Sequence, residues 1–152
     1  MILNPFVLGD NTETVEEDLP YLQEYGWDFQ HDCFSYNTDG THKIVYENDA
    51  LEVWIYKALK TERYRFDCYK HGIYNLDSNY GVELEQYIGK RPNDINTATE
   101  IKERIRECLE VNPYIKTINS IDIVSTKKDT AVFKIDLTSI YGNMETLQGV
   151  TL

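Results

Sequence analysis

The side chains able to do chemistry in this chain are mostly carboxylates. Glycosidases need two carboxyl groups about 5 to 9.5 Å apart across a sugar cleft, and Glu62 with Asp67, or Glu83 with Glu85, could supply such a pair. Glu62 stands among Lys60, Arg63 and Arg65, and nearby cations favour its ionised form. A general acid requires the opposite shift, so a charge network is the better role for Glu62. His31, His42 and His71 show no HxxxH or HExxH spacing, and no metal site is expected. Cys33, Cys68 and Cys108 are odd in number and form no CxxC pair. Reduced thiols in a packed interior are therefore expected, not disulfides or a zinc knuckle. The glycines are scattered, with none in a Gly-rich loop between strand and helix. Phosphate loops, dinucleotide fingerprints and nucleophile elbows are thus excluded, and no cofactor is expected.

The network that remains is Thr61, Glu62, Arg63, Tyr64 and Arg65. It directly follows the clearest helix, residues 49–60, where Asp49 and Glu52 form a capping box and Leu51, Trp54, Ile55, Ala58 and Leu59 form one apolar stripe. Such a corner has two readings. Glu62 and Arg63 can act as an internal clamp that satisfies neighbouring groups, or the corner can dock a partner, since interfaces favour arginine and tyrosine.

Other elements must position that corner. Residues 25–34 place Trp27, Phe29 and Cys33 on one alternating face, a strand pattern. NTDG (37–40) is hairpin-turn chemistry, followed by a short strand over 43–46. A strand is expected near 64–69, and a short helix over 81–89 ending in glycine. Residues 97–110 open on a second capping box, Thr97 with Glu100, and bury Ile101, Ile105, Cys108 and Leu109; Asn112 and Pro113 stop that helix. Residues 115–124 and 130–138 form an antiparallel hairpin, the second arm alternating Ala131, Phe133, Ile135 and Leu137 inward. The tail, 145–152, makes an edge strand. The fold class is α+β, a small mixed or antiparallel sheet packed against two main helices. Residues 21–152 are expected as a single domain, preceded by an extended acidic arm over 1–20.

A net charge of −11 repels any phosphate backbone, so nucleic acid is not an expected partner. An acidic mimic of nucleic acid would show carboxylates in rows, whereas here many sit beside Lys or Arg. No apolar run approaches membrane-spanning length and no signal-peptide pattern opens the chain, so a soluble cytoplasmic protein without membrane contact is expected. Tyrosine is over-represented at 12 residues, which favours a surface made to be contacted.

Several segments together resemble the sheath-initiator baseplate wedge proteins of contractile phage tails, in the branch of PBSX-type prophages and tail-like bacteriocins. They are WIYKALKTERYRF (54–66), NYGVELEQYIGK (79–90), IRECLEVNPYIKTI (105–118) and FKIDLTSIYG (133–142), with YGWDF (25–29) similar to the family's first strand. The resemblance implies a structural protein, not an enzyme, with a fold similar to the interlocking domain of a tail sheath subunit. It implies a sixfold ring around the central tube that links the baseplate wedge to the first sheath ring and initiates sheath assembly. Its partners would be the tail sheath protein, baseplate wedge proteins and central tube or hub proteins. It would be assembled in the bacterial cytoplasm and reside in the baseplate of the finished particle.

In that family an incoming sheath arm extends the sheet by strand addition. The resemblance thereby assigns Phe133, Ile135, Leu137, Leu147 and Val150 to the sheath side. A family Glu and Arg motif contacts the wedge's helical bundle; Glu62 and Arg63 stand at its place, without the proline that separates them in the better-known branch. Residues 61–65 are thereby assigned to wedge binding. Some relatives were once labelled tail lysozymes, which keeps a glycoside hydrolase acting on peptidoglycan as the alternative.

Overall fold

Local turn chemistry shapes the first part of the chain. The computed structural model describes residues 19–70, 79–127 and 129–152, so the expected acidic arm lies outside the described residues except for Leu19 and Pro20. Four short strands come first: β1 (Gln23–Tyr25), β2 (Trp27–Asp28), β3 (Cys33–Phe34) and β4 (Ile44–Tyr46). β1 pairs with β4 and β2 with β3, both antiparallel. The stretch expected as one strand over 25–34 therefore folds back on itself. Asp28 Oδ1 accepts from the amides of Gln30 (2.9 Å) and His31 (3.1 Å), an Asx turn that competes with extended backbone. The NTDG segment turns as expected, the Gly40 amide donating to the Asn37 carbonyl at 3.0 Å.

Helix α1 (Glu47–Lys60) begins earlier than expected and has no side-chain cap at Tyr46. The Asp49 and Glu52 box does not govern its start; Glu52 Oε1 instead accepts from the Thr146 hydroxyl at 2.7 Å. Leu51, Ile55, Ala58 and Leu59 are buried as the stripe requires, Val53 joins them, and Trp54 packs at the margin of the core. Where a strand was expected near 64–69, Tyr64 takes a left-handed φ of 66° and a short helix α2 (Asp67–Lys70) follows. His71 and Gly72 lie outside the described residues. The short helix expected over 81–89 is a single 3₁₀ turn, Glu85–Tyr87, followed by Gly89 at φ 81°.

Helix α3 (Ile95–Glu110) is capped by Asp94, whose carboxylate accepts from the amide and hydroxyl of Thr97 at 3.2 and 3.1 Å. Thr97 is thus inside the helix, where it was expected to be the cap. Ile101, Ile105, Cys108 and Leu109 are wholly buried, as their spacing demands. Asn112 then holds the turn into the sheet, its side chain accepting from the Tyr114 amide at 2.9 Å.

Strands β5 (Ile115–Lys127), β6 (Thr130–Ser139) and β7 (Gly142–Thr151) form an antiparallel sheet in that order. Ala131, Phe133, Ile135 and Leu137 of the central strand are wholly buried. Burying a side chain the size of Phe133 contributes about 1.5–3 kcal/mol. These residues share one apolar cluster with both long helices, α1 lying against β7, α3 against β5, and the helices against each other. The architecture is α+β, with an antiparallel sheet on two main helices; the parallel pairing among the described residues is a single bridge, Glu62 with Val82. Of the three cysteines expected inside, Cys33 and Cys68 are exposed and Cys108 is buried, where desolvation pushes its thiol up to about 12. No helix among the described residues is long and apolar enough to cross a membrane.

Candidate functional site

Helix α1 ends where Thr61 turns its hydroxyl back to the Lys57 carbonyl at 2.8 Å. The chain then runs beside residues 81–82: the Val82 amide donates to the Thr61 carbonyl (2.9 Å) and the Arg63 amide to the Val82 carbonyl (3.2 Å). Gly81 makes this approach possible. It sits at φ 99°, and a Cβ there would lie 2.7 Å from the Thr61 carbonyl oxygen, a space only glycine leaves open.

The five corner residues divide by direction. Arg63 points inward, its Nε donating to the Gly81 carbonyl at 3.0 Å and its Nη2 to the Glu107 carbonyl at 3.3 Å. It ties the corner to helix α3, as a clamp would. Arg65 hydrogen-bonds Glu62 and lies 3.8 Å from Glu85, and the Tyr64 hydroxyl reaches Asn79 at 3.4 Å. The bond from Arg65 holds the Glu62 carboxyl below the usual glutamate range, while the hydrogen bond shared with Glu62 raises Glu85. Glu62, Tyr64 and Arg65 are the members available to a partner, and Glu85 joins them.

Sequence reasoning missed Glu85 in this network because its partners are supplied by the approach of residues 81–82 to the corner. It also placed Glu85 beside Glu83 as a glycosidase pair; the two line one recess, Glu83 at 3.8 Å from Arg104 and Glu85 at 3.8 Å from Arg65. Glu62 is the ionised partner of Arg65, the opposite of what a general acid requires. Asp67 opens α2. Among the described residues no group of His, Cys, Asp and Glu is placed to hold a metal ion.

The residues assigned to the sheath side also divide. Phe133, Ile135 and Leu137 lie on the inward face of the central strand and Val150 is buried on β7, so these side chains hold the sheet together. Leu147 is 62% exposed. The two sheet edges differ in regularity. β5 carries three register shifts along its pairing with β6, the bulged form that blunts an edge. β7 pairs with β6 over ten residues without a shift and has no strand on its other side among the described residues. Its C-terminal end meets the corner across a groove of about 310 Å³, walled by Leu59, Leu84, Ile88 and Val150 with Glu62 and Glu85 beside them.

A family model described as the contractile injection system sheath initiator matches residues 23–142. The chain is also 27% identical over 124 residues to the phage-like element PBSX protein XkdS of Bacillus subtilis (strain 168), covering 81% of this chain and 79% of that protein. The match takes in the first strands, α1, the corner, α3, β5 and β6. The chain belongs to the sheath initiator family of contractile injection systems.

Proposed function

We propose that this protein is a non-enzymatic baseplate component that links the wedge of a contractile tail or tail-like particle to the first sheath ring and starts sheath assembly. Residues 21–152 act as one α+β unit similar to the interlocking domain of a sheath subunit, with residues 1–20 as an arm. The edge of β7 receives a sheath strand. Glu62, Tyr64 and Arg65 face the wedge, and the ring is sixfold around the tube and hub proteins. Assembly takes place in the bacterial cytoplasm, without nucleic acid or membrane.

The observation that carries this reading is the unshifted ten-residue pairing that leaves β7 as a regular edge. Strand addition uses main-chain hydrogen bonds for register and side chains for choice of partner. Leu147 is the exposed apolar side chain on that strand. A Cβ at Gly149 meets only Thr130 Cγ2, at 3.7 Å, so a side chain fits there. Co-expression with the tail sheath protein tests the proposal. Leu147→Lys with Gly149→Lys should leave the fold intact and abolish sheath recovery, since lysine on an edge opposes strand pairing. Undiminished sheath recovery by the folded double variant would contradict it.

A further inference from the structure

We infer that the aromatic surface of the first four strands is a separate docking face, and that its occupant is a basic protein segment carrying arginine or lysine among apolar side chains. This inference does not depend on the sheath and wedge roles. The rings form one connected track. Tyr36 lies tilted against His42 at 4.7 Å, His42 meets Tyr25 at 5.3 Å and Phe34 at 5.2 Å, and Phe34 meets Trp27 at 4.9 Å. Trp27 continues to Tyr56 at 5.8 Å, and Tyr56 to Phe29 at 5.2 Å. Tyr25, Phe34 and Tyr36 are 55, 43 and 58% exposed, and none of these rings belongs to the buried cluster. Scattered exposed aromatics are ordinary, but a contiguous exposed run marks a contact surface.

Charge selects the occupant. Residues 23–46 carry Glu24, Asp28, Asp32 and Asp39 against Lys43; Lys57 pairs with Glu24, His31 with Asp28 and Lys60 with Asp32, which leaves Asp39 as the carboxylate of this face without an ion pair among the described residues. A second copy, at −11, would bring like charge to this face. Residues 1–18 would do the same, with Asp10, Glu13, Glu16, Glu17 and Asp18 and no Lys or Arg. A cation suits both the rings and the carboxylates, and the chain itself provides an instance at one end of the track. Lys60 Nζ lies 4.3 Å from the Tyr56 ring centroid and 3.5 Å from Asp32, which also accepts the Tyr56 hydroxyl. The other end offers Tyr25, Tyr36 and His42 beside the turn that carries Asp39, with no cation of this chain over those rings among the described residues. An incoming guanidinium or ammonium would be held there by the same combination of ring face and carboxylate.

The test is an NMR titration of the isotope-labelled full chain with two blocked pentapeptides, Gly-Leu-Arg-Leu-Gly and its citrulline analogue, which keeps the shape and loses the charge. The arginine peptide should bind about three- to fivefold more tightly, with shifts confined to Tyr25, Phe34, Tyr36, His42 and their neighbours. Tyr36→Leu, with β6 amide shifts unchanged as a check of folding, should erase that preference while leaving binding of the citrulline peptide. Equal affinity for the two peptides, or shifts spread over the acidic helix surfaces, would overturn the inference. So would concentration-dependent shifts of the same rings in the chain alone, which would make a second copy the occupant.

Discussion

Arg63 and Arg65 are two residues apart and do different work. Arg63 reaches carbonyls 18 and 44 residues away in sequence, so Arg63→Ala should cost about 1–2 kcal/mol of stability, read by urea denaturation. Arg65→Ala should leave stability near wild type, because its ion pairs lie at the surface, yet reduce wedge recovery in co-expression. The carboxylates give a pH signature. Glu62 is held low, so its contribution is present at neutral pH and is lost as pH falls through its folded value. Glu85 is held high, so it favours the fold below the ordinary glutamate range and opposes it once pH passes its raised value. Glu62→Gln should therefore lower Tm only slightly near neutral pH, to the same small extent as Arg65→Ala because both remove one surface pair, and leave it unchanged in strong acid. Glu85→Gln should raise Tm near neutral pH by removing the second charge. A sequence reader could see that cations flank Glu62; the inward turn of Arg63 depends on partners that no local spacing reveals.

At the scale of elements, the corner depends on the crossing of residues 61–63 with 81–82. Gly81→Ala would place a methyl against the Thr61 carbonyl at a left-handed φ, and should destabilise the protein by about 1–3 kcal/mol while moving the amide resonances of Arg63 and Val82. Unchanged stability and shifts would mean that the two segments do not approach as described. The buried positions of α3 and β6 were legible in the sequence because their periods are local, 3.6 and 2 residues. The helix starts were not. Glu52 bonds Thr146, 94 residues on, and Asp94, three residues before Thr97, takes the cap. Nor was the fold-back at Asp28, whose side chain closes a turn inside an alternating pattern that reads as one strand.

For the whole molecule, the question is which surface starts the sheath. The sequence indicated an edge strand at the C-terminus, and the family resemblance assigned the contact to hydrophobic residues of the C-terminal hairpin and tail, Phe133, Ile135, Leu137, Leu147 and Val150. In the fold most of those side chains form the core, and what β7 offers outward is backbone with Leu147 above it. That difference is physical: strand addition is made by main-chain groups, which carry no residue signature. The most direct measurement is hydrogen exchange of β7 amides with and without the tail sheath protein. Strand addition predicts that amides within Gly142–Thr151 slow on sheath binding while those of β5 keep their rates. A bound sheath protein that leaves β7 exchange unchanged would contradict the proposed mode of initiation.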